Sequence, residues 1–510
     1  MAPTFCSRCG DAVDEGCDPR DELAELDALL ERIKLKRYDL KRKINQLHSP
    51  IIRRLPPDVM STIFEFCLPY FTDHHDQFST FFQKDLSLPL SLGAICSYWR
   101  DIAWSTPSLW SSPVVRVTSK HDPHVIAGVA QEWLARSGQL PLSIRILAYN
   151  NNLETVSALA NILNRYSTRW SYLGLRIPPG CYRSFHAIDN DAPTLKSIQF
   201  SSFDDATFLN FQLTCPCLER ARIEKLPMNG SNIQWDNLTH LYLHFMSIID
   251  VFLILRKTPR LVFCKVSNCT TRYIQQNIGA LVLTSLRSLQ LPMGFAEDIL
   301  NNVIAPHLEE LSLPNYRNAP MEVVTSFLRR SACSLSSFSK TFRSFPPHFE
   351  TFMIFFRSIK IFSITLTSFF DYSPENHDFW DILKLVAKVL SSQSTSPQQG
   401  LLSNLKILEF TGRLRPTGGN LNALVNTLPP ADNAVRGPLH LFKLDLYPIT
   451  RIPKKLLSYF LSLEERGVTV KVLSDSEDIR VLQSSIDYYR RREEFFSRDW
   501  ADNFDSSLFS

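Results

Sequence analysis

APTLKSIQF, residues 192–200, and APHLEELSL, residues 305–313, decide how most of this chain is read. Both contain the phrase L-x-x-L-x-L, filled by Leu195, Ile198 and Phe200 in the first and by Leu308, Leu311 and Leu313 in the second. The last two apolar positions stand two residues apart, the spacing that puts side chains on one face of a strand. The phrase recurs as Trp170/Leu173/Leu175, Leu218/Ala221/Ile223, Leu238/Leu241/Leu243, Leu261/Cys264/Val266 and Leu286/Leu289/Leu291. It continues as Ile359/Phe362/Ile364, Leu405/Leu408/Phe410 and Leu441/Leu444/Leu446. From Trp170 to Leu308 the steps between first positions are 25, 23, 20, 23, 25 and 22 residues. Segments between them, such as DVFLILRKTP (250–259) and EVVTSFLRRS (322–331), read as helices behind the strands. A unit this short cannot bury its apolar side alone, so neighbours must stack.

This period resembles that of leucine-rich repeats. The resemblance implies an α/β fold in which residues 113–475 form a curved solenoid of short parallel strands and helices. PLSIRILAY (141–149) is expected to start the array, behind a helix in VIAGVAQEWLARSG (125–138). Asparagine at the usual turn position is sporadic, as at Asn268 and Asn315, so the repeats are degenerate. Regularity falls after Leu313, where Leu335 and Phe338 are followed by Lys340, which fails the third position. A helix is predicted over 379–390 and a polar loop at SSQSTSPQQG (391–400). The solvent side of the strands, at Lys196, Gln199, Glu219, Arg222, His240, Tyr242, Lys265, Arg287, Gln290, Glu309, Ser312 and Lys406, would be the binding face. Cys215-Pro-Cys217 occupies the place of Ala-Pro and Thr-Pro in other repeats, which argues against a metal pair. In the last segment, 476–510, a helix around Ile486, Tyr489 and Glu493 to Phe496 is expected to cap the array.

Residues 49–112 have a different character, SPIIRRLPPDVMSTIFEFCLPY at one end and LSLGAICSYWRDIAWSTPSLWSS at the other. Pro56-Pro57-Asp58 starts a helix, because proline is tolerated in a first turn and an acid is favoured there by the dipole. Val59, Ile63, Phe64 and Cys67 give that helix one apolar face. Leu92, Ile95, Cys96 and Trp99 form the stripe of a second helix, which Thr106-Pro107 ends. This ordered set resembles an F-box, the three-helix module that docks the Skp-type adaptor of cullin–RING ubiquitin ligases, in the expanded form found in fungi. The resemblance implies an adaptor-binding set: Leu55 and Pro56 as the Leu-Pro entry, and Val59, Ile63, Phe64 and Leu68 on the first helix. Leu92, Ile95, Cys96 and Trp99 follow on the second, with Leu109 and Trp110 as the closing Leu-Trp. The stretch Phe71 to Leu88 is longer than in the shortest members of the family.

Ahead of this module, residues 21–49 carry Leu23, Leu26, Leu30, Ile33, Leu40, Ile44 and Leu47 at alternating spacings of three and four, with Ile51 beyond. Arg37 is the one polar interruption of a coiled-coil seam of about four heptads. Self-association through residues 21–51 is one reading; packing on the neighbouring module or folding back as a hairpin is the other. Residues 1–20 read as unstructured. Cys6-Ser-Arg-Cys9 there is half a zinc knuckle, without the second pair a structural site needs. His74-His75-Asp76 reads as a solvated loop.

At 510 residues the chain exceeds one ordinary core. A net charge of +4 is small for that length and gives no reason to expect nucleic acid. The apolar stretch at 351–366 is broken by Arg357 and Lys360, so no membrane span is expected, and the acidic start has no signal core. The eleven cysteines then read as free thiols of a cytoplasmic or nuclear protein. With 16 glycines and no nucleotide-binding or H-E-x-x-H motif, no catalytic residue, cofactor or metal is expected. The expected function is substrate recruitment for a Skp–cullin–F-box ubiquitin ligase. The adaptor, and a cullin through it, would bind the F-box, and an unidentified target the repeats. A protein-interaction scaffold without ligase activity is the rival reading, and a hydrolase or transferase within residues 120–475 the more distant one.

Overall fold

A computed structural model of the chain describes residues 4–5, 12–13, 19–48, 55–68, 88–118, 122–149, 153–187, 191–203, 211–228, 231–269, 279–291, 296–314, 320–342, 352, 355–366, 404–413, 439–447, 452, 454–465, 467–473 and 481–499. It is a mixed α/β structure with a large parallel sheet, and it divides into two compact units. One comprises Met1–Val115 and His124–Arg145, the other Arg116–Pro123 and Ile146–Ser510. The helical unit thus extends past Ser112. Its backbone ties explain why: the Ser143 and Arg145 N–H groups donate to the Ser111 and Pro113 carbonyls at 2.9 and 3.0 Å.

The helical unit contains α1 (Pro19–His48), α2 (Pro57–Phe66), α3 (Leu88–Ile95), α4 (Ser97–Ser105), a 3-10 turn (Pro107–Trp110) and α5 (Pro123–Arg136). Pro56 and Pro57 start α2 and Asp58 lies in its first turn, as the sequence reading expects. Residues 1–20 are not wholly unstructured, since Thr4–Phe5 pairs antiparallel with Ala12–Val13 and α1 begins at Pro19. The helix expected to run through LSLGAICSYWRDIAW is in fact two. Cys96 is extended (φ −158°, ψ 168°) and caps α4, its Sγ accepting from the Trp99 N–H at 3.5 Å. Gly93 permits a close approach of α3 and α4: a Cβ there would stand 2.1 Å from Trp104 Cζ3. Arg100 Nε fixes the corner by donating to the Gly93 carbonyl at 2.8 Å.

In the second unit, twelve strands form one parallel ladder. In chain order they are β1 (Trp170–Arg176), β2 (Ser197–Ser201), β3 (Arg220–Glu224), β4 (His240–His244), β5 (Phe263–Ser267) and β6 (Ser288–Gln290). They continue as β7 (Glu310–Leu313), β8 (Ser337–Phe342), β9 (Ile361–Leu366), β10 (Ile407–Arg413), β11 (Leu441–Tyr447) and β12 (Thr469–Leu473). Each strand pairs with its sequence neighbours, so the alternating pattern is carried across the ladder in columns. One inner column runs Ile198, Ala221, Leu241, Cys264, Leu289, Leu311, Phe338, Phe362, Leu408, Phe442 and Val470, all buried. Strand entries repeat one device, a single carbonyl accepting two successive N–H groups from the next strand. The Glu219 carbonyl takes Thr239 and His240, and the Lys360 carbonyl takes Lys406 and Ile407.

Three features depart from the sequence expectation. Lys340 does occupy the third position, aligned with Leu313 on one side and Ile364 on the other, and it is buried. The late triplet is Leu439/Phe442/Leu444 rather than Leu441/Leu444/Leu446, because Leu408 aligns with Phe442 and Phe410 with Leu444. The twelfth strand, TVKVL, continues the ladder where no repeat is read in the sequence.

Both helices proposed behind the strands are present, α7 (Ile248–Arg256) and α9 (Met321–Ser331), joined by α6 (Leu153–Asn164), α8 (Ala296–Asn302), α10 (Lys454–Glu465) and α11 (Val481–Asp499). After β2 and β3, however, the return segments are short parallel strands, Phe211–Leu213 and Ser231–Ile233. The segment expected to begin the array is the strand Leu142–Ala148. The C-terminal helix contains the expected residues and lies against β12 and α10, with Val481, Leu482 and Ser485 buried and Tyr489 OH donating to the Ile452 carbonyl at 3.2 Å. The helix proposed at 379–390, the loop at 391–400, Cys6, Cys9, Cys17 and His74 to Asp76 lie outside the described residues.

Candidate protein-docking surface

Helix α2 has two apolar sides. Met60 and Phe64, four residues apart, face inward and are buried with Leu92, Ile102, Ala103, Leu109 and Trp110. Phe64 meets Trp99 at a ring separation of 5.0 Å, and Trp133 of α5 meets Trp110 edge-on at 4.8 Å. Trp110 is satisfied as well as buried, its indole N–H donating to the Ala103 carbonyl at 2.7 Å. Thr106 is likewise buried and paired, donating to the Ile102 carbonyl at 2.7 Å, with Ser61 Oγ 2.9 Å from its hydroxyl. Ser108 Oγ donates to the Glu65 carboxylate, tying the closing turn to α2. Full burial stabilises roughly 1.5–3 kcal/mol per large apolar side chain, so this small core holds the helices in place.

The other side of α2 is exposed. Val59, Ile63 and Phe66 stand at i, i+4 and i+7, one stripe of the helix, and Phe66 is 86% exposed. Pro56 just before it is exposed, and Leu55 is half-buried with its carbonyl accepting from Tyr98 OH at 3.3 Å. On α3, Leu90 and Ile95 are exposed, at 47% and 51%.

The residues of the expected docking set therefore separate into three groups. Pro56, Val59, Ile63 and Ile95 are exposed; Leu55, Leu68, Cys96 and Trp99 are half-buried. Phe64, Leu92, Leu109 and Trp110 are sealed in the unit's own core, so they support the surface from beneath and do not stand on it. The physical reason is the 3-10 turn, which folds Leu-Trp back beneath α2 and α4 instead of presenting it outward. Phe66 and Leu90, neither of them in the expected docking set, join the exposed residues. Phe66 was available in the sequence as the residue seven positions after Val59; Leu90 had no such signal, because LPLSL fits a helix face on either side.

The strand face of the second unit is more polar. Lys196, Glu219, Arg287, Glu309 and Lys406 are exposed at strand entries, and Arg287 pairs with Glu309. Arg222, His240, Tyr242, Lys265, Gln290 and Ser312 are half-buried on the outward side of the strands. Arg222 lies 4.9 Å from the Tyr242 ring centroid, and Phe263 stacks beside His240 and Tyr242 at 5.8 and 5.1 Å. Gln199 is not part of this face: it is buried, accepting from Tyr172 OH at 2.5 Å. At the strand ends, Ser201 Oγ donates to Glu224 Oε2 at 3.2 Å, Glu224 Oε1 meets His244 Nδ1 at 3.4 Å, and Asn268 Nδ2 donates to His244 Nε2 at 2.8 Å. An amide donor on Nε2 leaves Nδ1 as the proton-bearing nitrogen, facing Glu224. Ser201 is bonded to the carboxylate, not to the imidazole, so the row works as a cross-strand tie rather than a nucleophile–base pair. Burial raises the Glu224 carboxyl pKa, but the interaction with His244, together with Arg176 and Ser201, outweighs it and holds the group below its ordinary value.

Cys215 is buried and Cys217 exposed, so the pair does not converge on a common point. Burial pushes the Cys215 and Cys264 thiols up to about 12, which makes them inert packing groups. Among the described residues no three His, Cys, Asp or Glu side chains are placed to hold a metal ion, and no helix is long and apolar enough to cross a membrane. Comparison with protein-family models and with curated proteins finds no match to this chain.

Proposed function

We propose that this chain is a substrate-recruiting F-box subunit of a Skp–cullin–F-box ubiquitin ligase. In this reading α2, α3 and α4 dock the Skp-type adaptor, and a leucine-rich-repeat-like solenoid holds the target on its strand face. The observation that carries it is the stripe Val59, Ile63 and Phe66, apolar and exposed on a helix whose opposite side is already filled. Exposed apolar groups at that density mark a partner surface. The ordered Leu-Pro, Cys-x-x-Trp and Leu-Trp elements support it, as do the repeat steps and the in-register columns of the ladder. The role is positional, raising the concentration of a target beside the ubiquitin-carrying enzyme.

The test is capture of a Skp-type adaptor and a cullin by the full chain, compared with Val59→Asp/Ile63→Asp. Both positions are exposed, so the melting temperature is expected to stay unchanged while adaptor affinity falls roughly a hundredfold or more. Undiminished capture would reject the docking surface. Capture of adaptor without cullin would favour an interaction scaffold.

A further inference from the structure

The described side chains of α1, residues 23–44, are exposed without exception. They include the whole central seam, Leu23, Leu26, Leu30, Ile33, Leu40 and Ile44, together with Leu29, Leu35 and Tyr38. A helix of thirty residues, about 45 Å long, thus offers an apolar stripe that stays exposed over its described side chains.

The charge on this rod says what fits it. Residues 19–33 hold five acids (Asp21, Glu22, Glu25, Asp27, Glu31) and two bases (Arg20, Arg32), a net of −3. Residues 34–48 hold six bases (Lys34, Lys36, Arg37, Lys41, Arg42, Lys43) and one acid (Asp39), a net of +5. The rod is therefore complementary to itself only when reversed. We infer that α1 pairs antiparallel with α1 of a second copy of this chain.

The flanking positions discriminate against the parallel arrangement. With Leu23, Leu30, Arg37 and Ile44 at a positions and Leu26, Ile33 and Leu40 at d, a parallel pair sets Arg37 directly against Arg37 of the other copy. It also sets Lys36 (g) against Lys41 (e) on both sides of the seam. Like charges so placed are repulsive, and repulsion of the wrong arrangement is how coiled coils select orientation. Reversal about a two-fold axis at Leu35 removes both clashes; it brings Lys34 to Lys34 and Lys36 to Lys36 beside the axis, but it sets Asp27 against Lys41 on each copy and takes Arg37 off Arg37. It sets Leu26 against Ile44, Leu30 against Leu40 and Ile33 against Arg37, with the acidic half of each helix over the basic half of the other. The interface is isologous and closed, so assembly stops at two copies. This pairing uses none of the α2 or α3 residues of the adaptor reading and stands whether or not that reading holds.

Sedimentation velocity of the full chain, from submicromolar to tens of micromolar at low salt, tests it. One copy is expected to give way to two as concentration rises. Leu30→Asp/Ile33→Asp should weaken the dimer roughly a hundredfold or more. Lys36→Glu/Lys41→Glu/Lys43→Glu keeps good helix formers but makes both halves acidic; it should weaken the dimer roughly tenfold or more at low salt and reverse its dependence on salt. Orientation is read by mixing a Leu26→Cys chain with an Ile44→Cys chain, oxidising, and identifying the joined peptides, which are expected to link 26 to 44. A single copy at every concentration, a dimer indifferent to both sets of substitutions, an assembly larger than two, or linkage of position 26 to itself would each overturn the inference.

Discussion

Lys340 shows how far a neighbourhood can override a residue. Its column is otherwise apolar, with Leu313 and Ile364 in register on either side, and it is 2% exposed. Burial pushes its ammonium down to about 8, from an ordinary 10.5. Between those two values the unfolded chain binds the proton and the folded chain does not, so stability rises with pH across that window and is lost as pH falls towards 8. Lys340→Met should therefore raise stability at neutral pH, on the order of 2 kcal/mol, with the gain fading as the pH climbs to 10.5. Chemical denaturation of both proteins between pH 7 and pH 10.5 measures the difference; a gain independent of pH would count against burial as the cause. In the sequence Lys340 looks like the end of the period. It is not, because the backbone hydrogen bonds of β8 to β7 and β9 fix the register regardless of one side chain.

At the scale of the element, the tie across β2, β3, β4 and the Asn268 turn is the most specific feature of the strand face. Lys225, Phe245 and Asn268, each directly after a strand, share a left-handed conformation (φ 54°, 51° and 51°). Only one of the three is an asparagine, so the turn repeats without the residue that usually announces it. The Lys225 N–H donates to the His244 carbonyl and the Phe245 N–H to the Ser267 carbonyl, which repays the local strain in hydrogen bonds. Since the Glu224 pKa is held low in the fold, the tie stabilises above the ordinary carboxylate range and is lost as pH falls through that depressed value. Glu224→Gln should cost about 1–3 kcal/mol near neutral pH. The gap between the two proteins should close in acid, and thermal unfolding across the acid range checks it. A gap that persists at the lowest pH would mean the side chain acts through shape and not charge. Helix α2 carries the complementary lesson, for its two apolar sides are indistinguishable in sequence: Ile63 and Phe64 are adjacent, yet one is exposed and the other buried.

For the molecule as a whole, the proposed function assigns the two units separate tasks, with a measurable consequence. Lys196→Glu/Arg287→Glu alters exposed residues of the strand face and should leave adaptor capture within about twofold, since residues without shared partners act independently. The same variant should change the set of other proteins the chain captures from cells, read by quantitative mass spectrometry. Equal loss of adaptor and of those proteins would argue against separate surfaces. Period and composition alone foretold a parallel α/β array, the Pro57 helix start, the long heptad helix and helices at α7 and α9, because spacing of apolar residues is a local property that any stacked neighbour must satisfy. They could not foretell the register of β11, the added strand β12 or the break at Cys96. Nor could they tell which apolar residues of residues 49–112 face water. Shifting a strand by two residues preserves its alternation, and turning a helix about its axis preserves its composition, so only packing against the rest of the unit chooses among them. That choice sealed Trp110 and Leu109 inside and left Val59, Ile63 and Phe66 outside.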